Sequence, residues 1–347
     1  MKLPRKDDAM TWLVSAVFAA AVVAAPSPTP AAEVNIYSAR QEVLIKPLLD
    51  AFTARTGITV NVVSGKADLL LQRLIREGAN SPADVLLTVD AGRLARAKQA
   101  NLLKPVHSAT LEANVPARYR DPEGAWYGLS VRARPIVYAR DRVDPAELST
   151  YQALAESKWK GRVCVRSSNN IYNQSMLAAM IHHIGVERTE AWAVGLVANF
   201  ARTPQGGDRD QIRAVAAGEC DVALANTYYL ARLATSPRAG DREAAAKVAI
   251  FWPDQDGHGV HVNISGAGVT RSARNTDAAI KLIEYLSGAE AQRQYAEVVY
   301  EYPVKPGVAP SAIVAAWGTY KADALALSVL GDNNAEAVRL ADRAGWR

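Results

Sequence analysis

The sequence predicts an α/β protein built as two lobes. Two observations predict the class and a third predicts the lobes. Short runs that alternate apolar and polar residues are followed, through short turns, by runs with helical spacing, the pattern of βαβ units and a mainly parallel sheet. Those runs recur along most of a 347-residue chain, long enough for two compact lobes. Near residues 126–140 two strand-like runs stand in succession with almost nothing between them. That reads as the chain passing from one lobe to the other.

Taken in order, the first segment is a targeting signal. Lys2, Arg5 and Lys6 precede an apolar stretch from Trp12 to Ala25, and small residues and prolines follow up to Ala32. This order describes a secretory signal peptide over residues 1–32. The apolar stretch is shorter than the about 20 residues of an ordinary spanning helix. Asp7 and Asp8 weaken the basic region, and an uncleaved anchor is the alternative. The expectation is an exported, periplasmic protein.

Residues 34–37 alternate like a strand. Val43, Leu44, Ile45, Leu48, Leu49 and Phe52 have helical spacing, ended by Thr56 and Gly57. Residues 58–63 form a second strand, residues 68–77 a helix closed by Gly78, residues 84–88 a third strand and residues 92–100 a helix. Residues 126–131 and 136–139 are the successive strands, flanking Arg132 and Arg134. A second α/β stretch runs from 145 to 245, more strands follow at 248–251 and 260–269, and helices finish the chain from Asn275. The organisation expected is lobe 1 over 33–132, lobe 2 over 133–247, and a return to lobe 1 with C-terminal helices over 248–347.

Composition removes several functions. A net charge of +5 is spread along the chain, with no Lys/Arg block of the kind that tracks nucleic acid. No phosphate-binding Gly-x-x-x-x-Gly-Lys-Ser/Thr loop is present, and Ser-His-Asp chemistry has no local signature. Nothing supports an enzyme. The two cysteines, Cys164 and Cys220, would be bridged in an oxidising compartment. The long loop so closed is worth about 4 kcal/mol in the chain-entropy model. Two unrelated buried thiols are the alternative.

The chemistry lies in the second lobe. A strand at 163–165 leads to Tyr172 at the start of a helical run. A strand at 221–224 leads to Tyr228 and Tyr229 at the start of another. Asn170 and Asn226 stand where helix N-caps belong. Tyr172 follows Cys164 by eight residues, and Tyr228 follows Cys220 by eight. If a disulfide joins two parallel strands, the equal offsets bring both tyrosine sites to the carboxyl edge of the sheet, where α/β proteins bind ligands. A phenol has a pKa near 10, and ionising several side by side is unfavourable without a strong cation. Fe³⁺ is a hard ion that favours anionic oxygen donors, and three phenolates would neutralise it. Any one of the thirteen tyrosines would ordinarily be a packing aromatic; the two groups together at ligand-facing turns point to a metal.

The chain resembles the ferric-iron-binding periplasmic proteins of ABC importers, which have the type II periplasmic binding protein fold. The resemblance spans nearly the whole chain after residue 32. Its carriers are Ile36-Tyr-Ser-Ala-Arg-Gln41, Ser81-Pro-Ala-Asp-Val-Leu-Leu-Thr-Val-Asp90, Tyr127-Gly-Leu-Ser-Val-Arg-Ala-Arg134, Val163-Cys-Val-Arg-Ser167, Pro204-Gln-Gly-Gly-Asp-Arg-Asp-Gln211, Asn226-Thr-Tyr-Tyr229, Asn263-Ile-Ser-Gly266 and Glu301-Tyr-Pro-Val304. It implies that Tyr172, Tyr228 and Tyr229 are iron-binding phenolates. Some relatives carry His-Tyr after the Tyr-Ser-x-Arg segment and use one or both as ligands; here Gln41 and Glu42 stand there. The sequence looks like the branch with Arg-Gln, whose three tyrosines are completed by a bound carbonate. The resemblance also implies an ABC transporter permease as partner, iron arriving free or chelated, and a monomer that binds no nucleic acid.

Arg40, Arg132 and Arg134 are available to grip a planar anion through guanidinium forks. Arg40, Gln41 and Arg132 are the better anion candidates, since Arg134 shares a face with Arg132 only if the strand is regular. Glu42 is the alternative oxygen ligand. His258 and His261 could bind metal but read as structural, because no cysteine or second carboxylate cluster accompanies them. His182 and His183 lie in a helical run facing partly outward. The lobes are expected to close about strands near 130–140 and 248–265, burying the ion. A binding protein of the same fold for an oxyanion or polyamine is the rival reading, and an enzyme with an arginine-lined pocket is the second.

Overall fold

The computed structural model describes residues 32–347, so the expected signal peptide lies outside the described residues except for its last position. No helix among the described residues is long and apolar enough to cross a membrane.

Among the described residues nine strands form two sheets: β1 (Glu33–Ser38), β2 (Thr59–Ser64), β3 (Val85–Val89), β4 (Tyr127–Ala133), β5 (Ile136–Ala139), β6 (Val163–Cys164), β7 (Val222–Leu224), β8 (Val248–Phe251) and β9 (Val262–Val269). The first sheet has the order β2-β1-β3-β9-β4 and the second β6-β7-β5-β8. In the first, β1 runs parallel to β2 and β3, and β9 is antiparallel to both neighbours. In the second, β6 and β7 are parallel, and β5 is antiparallel to β7 and β8. Each sheet is therefore mainly parallel, with one reversed strand. The reversed strand of each sheet is the one that enters from the other lobe.

The elements follow from their residues. The helix Glu42–Thr56 buries Ile45, Leu48, Leu49 and Phe52 on one stripe and ends at Gly57, whose φ of 71° closes the last turn in the left-handed region. The edge strand β2 alternates and stays largely solvated, whereas β4 and β9 are buried at every position. Gly266 is required by that packing: a Cβ there would lie 2.6 Å from the Tyr127 carbonyl oxygen and 2.8 Å from Leu94 Cδ1. Asp84, fully buried before β3, accepts from the backbone N–H of Asn35 and Asn275 at 2.8 Å each, and so pins β1 and the chain after β9 to one point.

The sheets move two expected boundaries. The forward crossing falls at residues 134–135, between β4 and β5. The return was expected at residue 248, but β8 pairs with β5 in the second sheet. The chain leaves the second lobe only over residues 252–261. The C-terminal helices also part from a simple return to lobe 1. Asn334–Arg343 packs against helices Ile171–Ile184 and Val186–Ala198 of the second lobe, and the short helix Val329–Asp332 touches both lobes. Trp346 anchors this tail: it is fully buried, donates Nε1–H to the Arg166 carbonyl at 3.0 Å, and meets Trp192 edge-on at 6.4 Å.

Candidate functional site

The second sheet presents both tyrosine groups at the carboxyl ends of parallel strands. β6 leads to the helix Ile171–Ile184, whose first turn carries Tyr172. β7 leads to Thr227–Ala234, whose first turn carries Tyr228 and Tyr229. The hydroxyls of Tyr172 and Tyr228 are 3.3 Å apart, and the rings of Tyr228 and Tyr229 lie 4.2 Å apart between centres. Cys164 and Cys220 form a disulfide with Cα atoms 5.9 Å apart. It ties β6 to the residue two positions before β7, and those strands are parallel, as the spacing required, but the register is not the one equal offsets imply. Cys164 pairs with Ala223, three positions beyond Cys220. The tyrosines meet because each opens a helix at the same sheet edge, not because they are equally far from the bridge.

The two helix starts are held differently. Asn170 caps its helix: its Oδ1 accepts from Tyr172 N at 3.0 Å. Asn226 occupies the N-cap position of the other helix without capping it, and its Oδ1 accepts from Arg134 Nη1 at 3.0 Å instead. Arg134 points into the second lobe, away from any anion beside Arg132. It is fully buried, pairs with Asp208 at 2.9 Å, and donates to Asn173 Oδ1 at 2.7 Å. Asp208 Oδ2 also accepts Asn226 N at 2.8 Å, and its other oxygen pairs with Arg166 at 3.1 Å. One buried knot thus ties both tyrosine-bearing turns to the forward crossing. The Gly206-Gly207-Asp208 segment opens a helix, and the structural role of Asp208 was missed.

The first lobe faces these tyrosines with a second buried network. Glu301 pairs with Arg40 at 3.1 Å and accepts from Ser265 at 3.0 Å and from the Ser130 hydroxyl. Arg40 also donates to Ser265 at 2.9 Å. Arg132 donates Nη2–H to the Ile264 carbonyl at 2.7 Å and to Ser265 at 2.6 Å. Its Cζ lies 5.5 Å from the Tyr172 ring centre and 5.9 Å from that of Tyr228. Arg132 Nε and Nη1 are buried without a partner, as is Arg40 Nε. Burial alone would raise the Glu301 carboxyl, yet the guanidiniums of Arg40 and Arg132 hold it below its ordinary value. Sequence reading missed Glu301 as a partner of these arginines, because only the fold brings it beside Arg40, 261 residues away in the chain.

The two faces enclose a cavity of about 150 Å³ lined by Arg40 and Gln41 from the first lobe and by Tyr172, Tyr228 and Tyr229 from the second. Burial raises Tyr228 well above the ordinary phenol value, the neighbouring Tyr172 and Tyr229 raise it further, and Arg132 opposes them. Burial and Tyr172 also raise Tyr229. Both shifts hold Tyr228 and Tyr229 in the protonated form. Arg209 and Arg232 also line the cavity; sequence reading passed over both, as neither belongs to a motif with assigned chemistry. Glu42 is exposed and not on the cavity wall.

The histidines gather elsewhere. His183 stacks on His258 with ring centres 3.9 Å apart and bonds Asp323 at 2.8 Å, while His261 is buried and pushed down to about 4 by burial. Parallel rings do not converge on an ion, and among the described residues no group of three or more His, Cys, Asp or Glu is arranged to hold a metal.

Residues 48–322 match the model of the bacterial extracellular solute-binding protein family. The iron uptake protein A1 of Synechocystis sp. is 49% identical over 323 residues, covering 93% of this chain and 90% of the relative. The major ferric iron-binding protein of Neisseria meningitidis serogroup B is 30% identical over 96% of this chain and 98% of its own. A Trichodesmium protein solved in complex with iron and citrate is 50% identical, with a TM-score of 0.88 over 91% of this chain and 100% of that one.

Proposed function

The chain belongs to the bacterial extracellular solute-binding protein family, whose members are binding proteins rather than enzymes, and on that premise we propose that it captures Fe³⁺ between its lobes through Tyr172, Tyr228 and Tyr229 and delivers it to the permease of an ABC transporter. The observation that carries this reading is the facing of three clustered tyrosines across one cavity by Arg40 and Gln41, with the free edge of Arg132 beside the rings of Tyr172 and Tyr228. The iron-related names of the relatives support the cargo.

Each phenol gives up its proton on binding the ion. The ferric charge and three phenolates sum to zero; a small anion, carbonate, fills the remaining coordination positions, and its two negative charges are met by Arg132 with Gln41 and the Nε of Arg40. Arg40 contributes less than its sequence position suggested, because Glu301 and Ser265 occupy its fork. The lobes close about the two crossings, residues 134–135 and 252–261, and release follows opening. Phenolate ligands compete with protons. Because burial raises Tyr228 and Tyr229, this competition extends through neutral pH, and iron affinity falls steadily as pH falls.

A visible titration with ferric citrate, with and without bicarbonate, tests the reading. The expected result is a red-orange charge-transfer band saturating at one iron per chain, enhanced by bicarbonate and lost in Tyr229→Phe. A band indifferent to bicarbonate removes the carbonate. A colourless protein returns the site to an oxyanion or polyamine.

A further inference from the structure

We propose that Tyr151 is a positioning residue for iron capture: its hydroxyl pins the forward and return crossings together at the pivot of closure, so that the lobes come together in a single register. The inference rests on the reading above, in which the lobes close about these crossings, and adds the residue that fixes where they turn.

Tyr151 belongs to the second lobe, where its carbonyl accepts Trp192 Nε1–H at 2.8 Å. Its buried ring reaches the point at which β4 and β9 leave the first sheet. Ala133 and Val262 are the last paired positions of that ladder, and one step beyond them Arg134 N donates to the His261 carbonyl at 3.0 Å. An antiparallel pair of this kind ordinarily exchanges two such bonds. Here the second is routed through the Tyr151 hydroxyl, which donates to the Arg134 carbonyl at 2.6 Å and accepts His261 N–H at 3.1 Å. Burial raises this phenol well above its ordinary value, so the donor persists across neutral pH.

The two crossings differ in slack. Residues 134–135 are short, whereas residues 252–261 are long enough to flex. Tyr151 holds the long crossing near both ends: its backbone N–H donates to Asp254 Oδ2 at 3.2 Å, and its hydroxyl holds His261. The same hydroxyl reaches the site through Arg134, whose guanidinium bonds Asp208, Asn173 and Asn226 beneath the tyrosine-bearing turns. A hinge turns on a few residues at the ends of elements. Without the pin the empty protein samples more lobe angles, and closure has to give them up.

Tyr151→Phe keeps the ring and removes the hydroxyl. Tyr127→Phe is the control, because its equally buried hydroxyl donates to the Val106 carbonyl at 2.6 Å within the first lobe. Iron release to excess EDTA, followed by decay of the charge-transfer band, is compared with the unfolding midpoint of each variant. Tyr151→Phe is expected to release iron about fivefold faster than wild type, the scale of one buried hydrogen bond. Tyr127→Phe should release at the wild-type rate, and the saturated band should be the same in all three proteins. Equal acceleration in both variants, or none in Tyr151→Phe, would overturn the pin. Amide exchange on the wild-type protein is a second check that needs no variant to fold: His261 N–H should be protected with and without iron, and rapid exchange in either state would overturn the pin. A wild-type protein that develops no band with iron would take down the tyrosine reading and leave the exchange result to judge the pin.

Discussion

The two walls of the cavity are built on opposite rules. The first-lobe wall balances most of its charge internally: Glu301 pairs with Arg40 and stands near Arg132, and Ser130 and Ser265 fill further bonds, which leaves Arg132 Nε and Nη1 and Arg40 Nε without a partner. The second-lobe wall balances only its foundation. Beneath the tyrosines, Arg134, Asp208, Asn173 and Asn226 bond one another, with Arg134 Nε and Asn226 Nδ2 left over, while above them three phenols and two arginines face the cavity with little to bond but each other. The difference separates structure from function. The more fully paired wall contributes stability and shape and keeps one guanidinium edge over, and the wall left largely unpaired is poised for a ligand. Mutations on the two sides should therefore fail in different measurements.

The largest effect is expected on the first-lobe side. Glu301→Ala leaves Arg40 and Arg132 buried beside each other without their shared carboxylate. Removing one partner of a buried ion pair costs about 3–5 kcal/mol, which a shifted midpoint in urea unfolding would report. A near-neutral result would mean that water or an anion takes the carboxylate's place, and the comparison between the walls would lose its basis.

Tyr228→Phe is the converse. It deletes one hydroxyl that bonds only Tyr172, so stability should change little. Iron affinity should fall by more than about 100-fold, beyond the range that outer-shell changes produce at metal sites. Comparable losses in stability and affinity would make Tyr228 a packing residue.

Asp208→Asn comes next. The carboxylate anchors Arg134, Arg166 and the Asn226 backbone but faces no cargo. A supporting residue of this kind typically costs about 10–100-fold in affinity. The measurement that separates support from bulk stability is the charge-transfer band: mispositioned phenolates should shift its wavelength, whereas a merely loosened fold lowers the melting temperature and leaves the bound spectrum alone.

The same contrast explains what the sequence could reveal. Alternating strands and helices were legible because periodicity is local, and Tyr172, Tyr228 and Tyr229 were legible because each follows a strand. The cysteine pair was legible from its compartment. What stayed hidden depends on tertiary neighbours. β8 reads as a strand from Val248 to Phe251, but no local feature says that β5 is its partner. The tail ending in Trp346 reads as helix, while its docking on Trp192 is a long-range fact. Glu301 and Asp208 are two acids among many until the fold buries them beside arginines. Arg209 and Arg232 are similarly ordinary until the fold sets them on the cavity wall.

The smallest expected effect is the most discriminating. Asn170 and Asn226 hold the same formal position at two helix starts, and a rule based on position alone would predict the same loss at each. Asn170→Ala removes a side-chain cap, worth about 1 kcal/mol in thermal or urea unfolding. Asn226→Ala removes no cap. It takes an acceptor from a buried guanidinium, a loss of about 1.5–3 kcal/mol for a hydrogen bond to a charged group. The second substitution should therefore destabilise more and also weaken iron binding, because Arg134 holds the turn that carries Tyr228 and Tyr229. Equal losses at the two positions would reduce the knot beneath the tyrosines to ordinary helix capping. Unequal losses, with iron affinity following Asn226 alone, would mean that the second lobe satisfies its foundation in order to leave its phenols free.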